Sequence, residues 1–164
     1  METYPITIGK ITRHVPVVET LPGVHIPLVE IMGDVELVQA AAEGLVKHLP
    51  PETDALLTLE TSPIVLAHAM SAICGKPYVV VRRKRRPYMQ DPIIQEVESL
   101  TLGVSETLWL DSRMAEKLLG QNVALVFDVV SSGANVVARL AAFHQGNSKL
   151  PVTFLSAIPI LQTA

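Results

Sequence analysis

The stretch VALVFDVVSSGAN, residues 123–135, constrains the fold of this chain more than any other segment. Its apolar residues surround one carboxylate, Asp128, and are followed by small residues from Ser131 onward. This pattern predicts a buried β-strand that ends in a polar turn. In α/β proteins, ligands bind just outside the carboxyl ends of parallel strands, where such a turn can direct backbone N–H groups at an anion. An ordinary turn into a Ser-capped helix would explain the same residues without a ligand.

A βαβ unit precedes this stretch and predicts a parallel sheet. Residues 54–59 are typical of a short buried strand, and residues 78–81 of the next one. Between them, Ser62 is the expected N-cap of an apolar helix, with Pro63 in its first turn and Gly75 at its end. The polar turn between the first strand and this helix contains Glu60, Thr61 and Ser62.

The remaining segments predict elements around that sheet. Residues 4–11 and 15–20 predict short antiparallel strands that flank the main sheet, and residues 24–31 form a third apolar run. Asp34 is the expected N-cap of a helix that ends before Pro50. Residues 91–111 predict a long hairpin with a turn near residues 103–106. A helix capped by Ser112 should follow, ended by Gly120.

Two interpretations are open for the chain after Asn135. Residues 134–146 can form a helix that leads to a strand at 151–158. Alternatively, residues 135–146, NVVARLAAFHQG, are themselves the next strand and the helix is missing. A parallel crossover needs a dozen or more residues, so the two assignments exclude each other. The β-branched, apolar VVARLAAF favours the second.

Composition limits the class of protein. The chain has 164 residues, of which 49% are hydrophobic, so we expect one domain spanning 1–164. Its single cysteine, Cys74, excludes an internal disulfide and fits a reducing compartment. No apolar run approaches the roughly 20 residues that span a bilayer. We therefore expect a soluble cytoplasmic protein without a membrane partner.

The basic cluster RRKRR, residues 82–86, follows the strand at 78–81 directly. A net charge of −3 and a pI near 5.9 argue against a nucleic-acid-binding protein overall. Five adjacent cations repel one another unless an anion or an acidic partner lies nearby. The cluster therefore indicates a local anion site, a solvated charged segment or a nonspecific nucleic-acid patch.

Three of these segments together resemble the type I phosphoribosyltransferase family, and its adenine-type branch in particular. Residues 123–135 resemble the phosphoribosyl-diphosphate signature, an apolar strand with two acids before a Ser/Thr/Gly loop; Asp128 matches the second acid and Phe127 replaces the first. ETSP, residues 60–63, stands at the family's pyrophosphate turn without its basic residue and Gly. VVVRRKRRPYMQDP resembles the segment in which an Arg-Lys pair and a later Lys face the phosphates.

The resemblance implies a central twisted parallel sheet with flanking helices, N-terminal antiparallel strands and a flexible β-hairpin arm over the reacting centre. It also implies a glycosyltransferase of purine salvage, which moves ribose 5-phosphate from phosphoribosyl diphosphate to a purine base and releases pyrophosphate. Mg²⁺ would accompany the diphosphate without a dedicated protein metal site, and a homodimer is expected.

The same resemblance implies a role for each candidate site residue. Asp128 would bind the ribose hydroxyls and stabilise the cation-like sugar. The 5′-phosphate would be held by the loop residues Ser131, Ser132, Gly133, Ala134 and Asn135. The pyrophosphate would be bound by Glu60, Thr61, Ser62, Arg82, Arg83 and Arg86.

The alternative function is a catalytically inactive sensor or regulatory protein of the same fold that keeps the phosphate pocket. Phe127, the Ser62-Pro63 pair and the possible loss of a helix favour it. A basic-loop nucleic-acid binder is a third hypothesis. The sequence does not identify the base.

Overall fold

The computed structural model of the chain describes residues 2–98, 105–130 and 153–159. Three short helices and the strands of three separate sheets lie in these ranges. The strands are β1 (Thr3–Ile8), β2 (Ile11–Leu21), β3 (Val24–Pro27), β4 (Ala55–Leu59), β5 (Tyr78–Val81), β6 (Ile93–Glu98), β7 (Ser105–Leu110), β8 (Val123–Val130) and β9 (Thr153–Pro159). The helices are α1 (Val35–Val46), α2 (Pro63–Cys74) and α3 (Ser112–Glu116). Within the described residues, no helix has both the length and the apolar character needed to cross a bilayer.

The central sheet has the strand order β5-β4-β8-β9, and every neighbouring pair in it is parallel. Separate antiparallel sheets are formed by β1-β2-β3 and by the hairpin β6-β7. The predicted architecture of a parallel sheet with helices, N-terminal antiparallel strands and a hairpin is confirmed. One predicted strand is divided: residues 4–11 turn at Gly9, whose φ of +59° suits glycine.

The strand expected at 151–158 is present as β9 (Thr153–Pro159). β4 pairs with one side of β8 and β9 pairs with the other. β9 therefore lies beside β8 on the side opposite β4, and both interpretations of residues 134–146 stay predictions. Residues 131–152 lie outside the described part of the chain, and their number is ample for a parallel crossover.

Two hydrophobic clusters cover the two faces of the central sheet. Side chains alternate along β8, so Ala124 and Val126 pack toward α1 and α2, whereas Leu125 and Phe127 pack toward β7. Burial on both faces explains why β4 and β8 are almost continuously apolar. The first polar side chains that follow these strands are therefore at the sheet's carboxyl edge.

Helix α1 begins at the predicted cap. Asp34 Oδ1 accepts a hydrogen bond from Leu37 N at 3.0 Å, and Arg13 Nε of β2 donates to Asp34 Oδ2 at 2.7 Å. The hydrogen bond from Arg13, followed by that from the Leu37 amide, lowers the pKa of Asp34 below its ordinary value of 3.8. One carboxylate thus caps the helix and ties it to the antiparallel sheet.

This arrangement makes the cap testable. Asp34→Ala should lower the free energy of unfolding by about 1–2 kcal/mol, because the helix loses its capping oxygen. Asp34→Asn keeps a capping oxygen and should cost less at neutral pH. Because folding lowers the pKa of Asp34, its ionic contribution is complete above pH 3.8 and is lost as the pH falls through the lower folded value. In urea denaturation, the free energies of unfolding of the wild type and Asp34→Asn should become more similar as the pH is lowered. A difference between them that does not change with pH would contradict this account.

The end of the hairpin differs in detail from the expectation. Asp111, not Ser112, caps α3, because its Oδ1 accepts from Arg113 N at 3.0 Å. The Ser112 hydroxyl instead donates to the Gln90 carbonyl at 2.8 Å. Glu106 belongs to β7, paired with Val97, and not to the predicted turn. Helix α3 is also shorter than predicted, although Gly120 follows it with a φ of +72°.

Candidate active site

The candidate site lies at the carboxyl edge of three neighbouring strands. The parallel pairings Leu59 with Val81 and Thr58 with Val126 bring the ends of β4, β5 and β8 level with one another. Glu60 and Ser62 follow β4, the three arginines Arg82, Arg83 and Arg86 follow β5, and Asp128 lies near the end of β8. This edge is where open α/β sheets bind ligands.

Glu60 is the centre of a network of arginines. Its Oε1 accepts from Arg82 Nη1 at 3.1 Å and from Arg86 Nη2 at 2.6 Å. Its Oε2 accepts from the backbone N of Arg83 at 3.1 Å, and its carbonyl oxygen accepts from Arg83 Nε at 2.7 Å. All three arginines expected at the phosphates therefore contact Glu60: Arg82 and Arg86 through their side chains to its carboxylate, and Arg83 through its backbone N–H to the carboxylate and its side chain to the carbonyl. We call Arg82, Arg83 and Arg86 the arginine cluster.

The electrostatics of Glu60 keep it ionised. Its side chain is 12% exposed. Burial raises the pKa of this carboxyl, but the hydrogen bonds from the Arg83 amide, Arg86 and Arg82 together hold that pKa below its ordinary value of 4.5. A charged carboxylate thus neutralises part of the cluster near physiological pH.

The hairpin is attached to the arginine cluster at two points. Arg83 Nη1 forms an ion pair with Glu106 of β7. The backbone groups of Arg82 and Trp109 exchange two hydrogen bonds of 2.8 Å. The sequence analysis did not identify Glu106 as a site residue. The available signal was its acidic side chain, in a hairpin that was expected to lie over a basic cluster. The half-buried Trp109 takes part in the bridge that joins β5 to the hairpin.

A second contact joins the turn after β4 to β8. The Ser62 hydroxyl donates a hydrogen bond to Asp128 Oδ2, and Val129 N donates to Asp128 Oδ1 at 2.8 Å. Ser62 stands at the N-cap position of α2, as predicted, but its side chain makes no capping hydrogen bond. An N-cap role alone is therefore the wrong explanation for Ser62. Its hydroxyl instead fixes the orientation of the Asp128 carboxylate.

Phe127 is buried in the core, with 5% of its surface exposed. Because side chains alternate along a strand, it faces the hairpin side of the sheet while Asp128 reaches the Ser62 side. Asp128 is therefore the acidic side chain that β8 contributes to the site.

The other candidates are distributed as follows. Thr61 is exposed in the turn after β4, and the Glu60–Thr61 peptide bond is cis. Lys84 and Arg85 are exposed at the edge of the arginine cluster. The expected 5′-phosphate loop, Ser131, Ser132, Gly133, Ala134 and Asn135, lies outside the described residues.

The carboxylates at this edge of the sheet are the candidate ligands for the expected Mg²⁺. Among the described residues there is no group of three His, Cys, Asp or Glu side chains that could hold a metal ion. Mg²⁺ at phosphate sites usually takes one or two carboxylates and completes its shell with phosphate oxygens and water. The half-buried Asp128 carboxylate fits such a contact, whereas Glu60 is already engaged by arginines.

Sequence comparison relates the chain to a group of curated proteins. The hypoxanthine/guanine phosphoribosyltransferase of Methanothermobacter thermautotrophicus is 30% identical over 110 residues, which are 67% of this chain and 53% of that protein. The protein of the same name from Methanosarcina acetivorans is 30% identical over 112 residues, 68% of this chain and 55% of that protein. The chain thus spans about half the length of the curated relatives it matches. No family model matches the sequence.

Structural comparison gives the same family name. The adenine phosphoribosyltransferase of Thermoanaerobacter pseudethanolicus superposes with a TM-score of 0.69 at 16% identity, over 89% of this chain and 95% of that one. The Saccharomyces cerevisiae enzyme, complexed with adenine and an imino-altritol bisphosphate, gives 0.66 at 17% identity over 88% and 94%. The chain therefore has the type I phosphoribosyltransferase fold and is related in sequence to that family.

Proposed function

We propose that this protein is a purine phosphoribosyltransferase, which transfers ribose 5-phosphate from phosphoribosyl diphosphate to a nitrogen of a purine base and releases pyrophosphate. The observation that carries this proposal is that a carboxylate and a group of cationic side chains lie at the same edge of the sheet. A carboxylate fixed by Ser62 lies on β8, and three arginines follow β5. The reaction needs both, since its sugar becomes cationic while its leaving group is an anion.

The acidic and the basic residues have different roles in this reaction. Asp128 binds the ribose hydroxyls and stabilises the cation-like sugar as the bond to pyrophosphate breaks. Arg82, Arg83 and Arg86 bind the departing pyrophosphate, and residues 131–135 hold the 5′-phosphate. Catalysis then consists of positioning and electrostatic stabilisation. Mg²⁺, when bound with the diphosphate, supplies charge neutralisation of the leaving group.

We further propose 6-oxopurines as the first bases to test, because the sequence relatives are named hypoxanthine/guanine phosphoribosyltransferases. The adenine-type neighbours share 16–17% identity and inform only the fold. A cytoplasmic homodimer also belongs to this proposal. The single cysteine fits a reducing compartment, and the family resemblance favours a dimer, which analytical ultracentrifugation would test.

The deciding experiment measures nucleotide formation. The protein is incubated with phosphoribosyl diphosphate, Mg²⁺ and one base at a time from hypoxanthine, guanine, xanthine and adenine, and the mononucleotide and pyrophosphate are quantified. We expect equal amounts of both products with at least one base. Calorimetry with phosphoribosyl diphosphate and Mg²⁺ is run in parallel. Binding without product from any base would favour the inactive sensor, and no binding would contradict both functions.

A further inference from the structure

Glu60 occupies the donors that the proposed reaction would use for pyrophosphate. A carboxylate and a phosphate offer arginine the same chemistry, an anion with several oxygens in one plane or face. Arg82 and Arg86 each direct a guanidinium N–H at Glu60 Oε1, and Arg83 directs its Nε at the Glu60 carbonyl. The cluster is therefore already bound to an anion that belongs to the chain.

We propose that Glu60 is an internal competitor for the diphosphate, which must be displaced from the arginines before a phosphate ligand binds there. This inference rests on the proposed function only for the identity of the ligand. Glu60 thereby sets the apparent anion affinity of the site.

The geometry allows displacement without rebuilding the fold. The Glu60 backbone is fixed, because its N–H donates to the Val81 carbonyl at 2.9 Å. Only the side chain has to rotate, which breaks its hydrogen bonds from Arg82, Arg86 and the Arg83 backbone N–H. The exposed Lys84 and Arg85 lie in the same loop and add positive potential that attracts an anion from solvent.

Competition of this kind has a distinct signature. If the site is open in only a fraction of molecules, the apparent dissociation constant of every anion is raised by the same factor. Simple repulsion by a Glu60 that stays in place would act differently. It would penalise the more highly charged pyrophosphate more than phosphate.

The test is calorimetric titration of the whole chain with inorganic pyrophosphate and, separately, with inorganic phosphate, without Mg²⁺ or base. Glu60→Gln should tighten the binding of both anions by about 10-fold and by the same factor, because the closed state loses its charge. Glu52→Gln is the matched control. Glu52 is exposed just before the opposite end of β4, and its loss should change either affinity by less than about twofold because of screening.

Several results would overturn the inference. Unchanged or weaker binding by Glu60→Gln would mean that Glu60 holds the arginines in place for the ligand. A much larger increase in affinity for pyrophosphate than for phosphate would mean that Glu60 stays bound to the arginines and repels the incoming anion. If Glu60→Gln does not fold, Glu60→Asp serves instead, since its shorter side chain reaches both arginines less well, and it should also tighten both anions.

The titrations separate this inference from the proposed function. They need no turnover, so tighter binding by Glu60→Gln would support the competitor role even if no base gave product. Conversely, product formation by the wild type with no gain in Glu60→Gln would remove the inference alone.

Discussion

Asp128→Asn should lower the rate of ribose 5-phosphate transfer by about 100-fold, equivalent to about 2.7 kcal/mol of transition-state stabilisation. Asn has nearly the same shape, and its single side-chain oxygen can keep the hydrogen bond from the Val129 amide, while its NH2 group can donate to the Ser62 hydroxyl oxygen. The substitution therefore removes the negative charge next to the cation-like sugar and reverses the direction of the hydrogen bond with Ser62. Because this charge acts on the transition state, the loss should fall mainly on kcat.

Initial rates at saturating phosphoribosyl diphosphate and base check this result, together with the melting temperature. Asp91→Asn is the matched control, since Asp91 is exposed outside the arginine cluster, with a φ of +41° that asparagine tolerates. The control should retain wild-type rates. If Asp128→Asn kept more than about a third of the activity, the reacting sugar would have to lie elsewhere. Removing a charge next to the reacting sugar should lower the rate much more than about threefold.

Leu66→Ala should lower the free energy of unfolding by about 2–5 kcal/mol, because it leaves a cavity in a close-packed core. Leu66 lies on α2 with 0% of its surface exposed and belongs to the cluster that contains Leu56 and Val126. Helix α2 begins directly after Ser62, so this packing also holds the turn against β8.

Urea denaturation measures this change, and the same helix supplies its control. Ile73 is 42% exposed near the end of α2, so Ile73→Ala should cost less than about 1 kcal/mol. Equal costs for the two substitutions would contradict the packing of α2 on the sheet.

The amino-acid sequence by itself determined the elements of the fold. The continuous apolar runs of β4 and β8 predicted buried parallel strands, because strands covered on both faces have no polar side. Asp34, Pro63 and Gly75 predicted helix ends through local hydrogen bonding and backbone geometry. These signals are read within a few residues, which is why they could be interpreted without tertiary structure.

The sequence also predicted which polar residues would lie at one edge of the sheet, but not their contacts. Polar residues after apolar strands placed Glu60, Ser62, Arg82 and Asp128 at strand ends, and parallel strands share one carboxyl edge. It did not predict that Arg82 and Arg86 bind Glu60, since that contact depends on β5 lying directly beside β4.

Only the tertiary structure decided what Ser62 does. Its hydroxyl could cap α2 locally or bond a residue far along the chain, and the structure shows a partner 66 residues away. The pairing of Glu106 with Arg83 and the burial of Phe127 depend in the same way on which strands pack together. Local sequence patterns specify helices, strands and turns. The partners of polar side chains depend instead on strand order and register, which interactions between residues close in sequence do not determine.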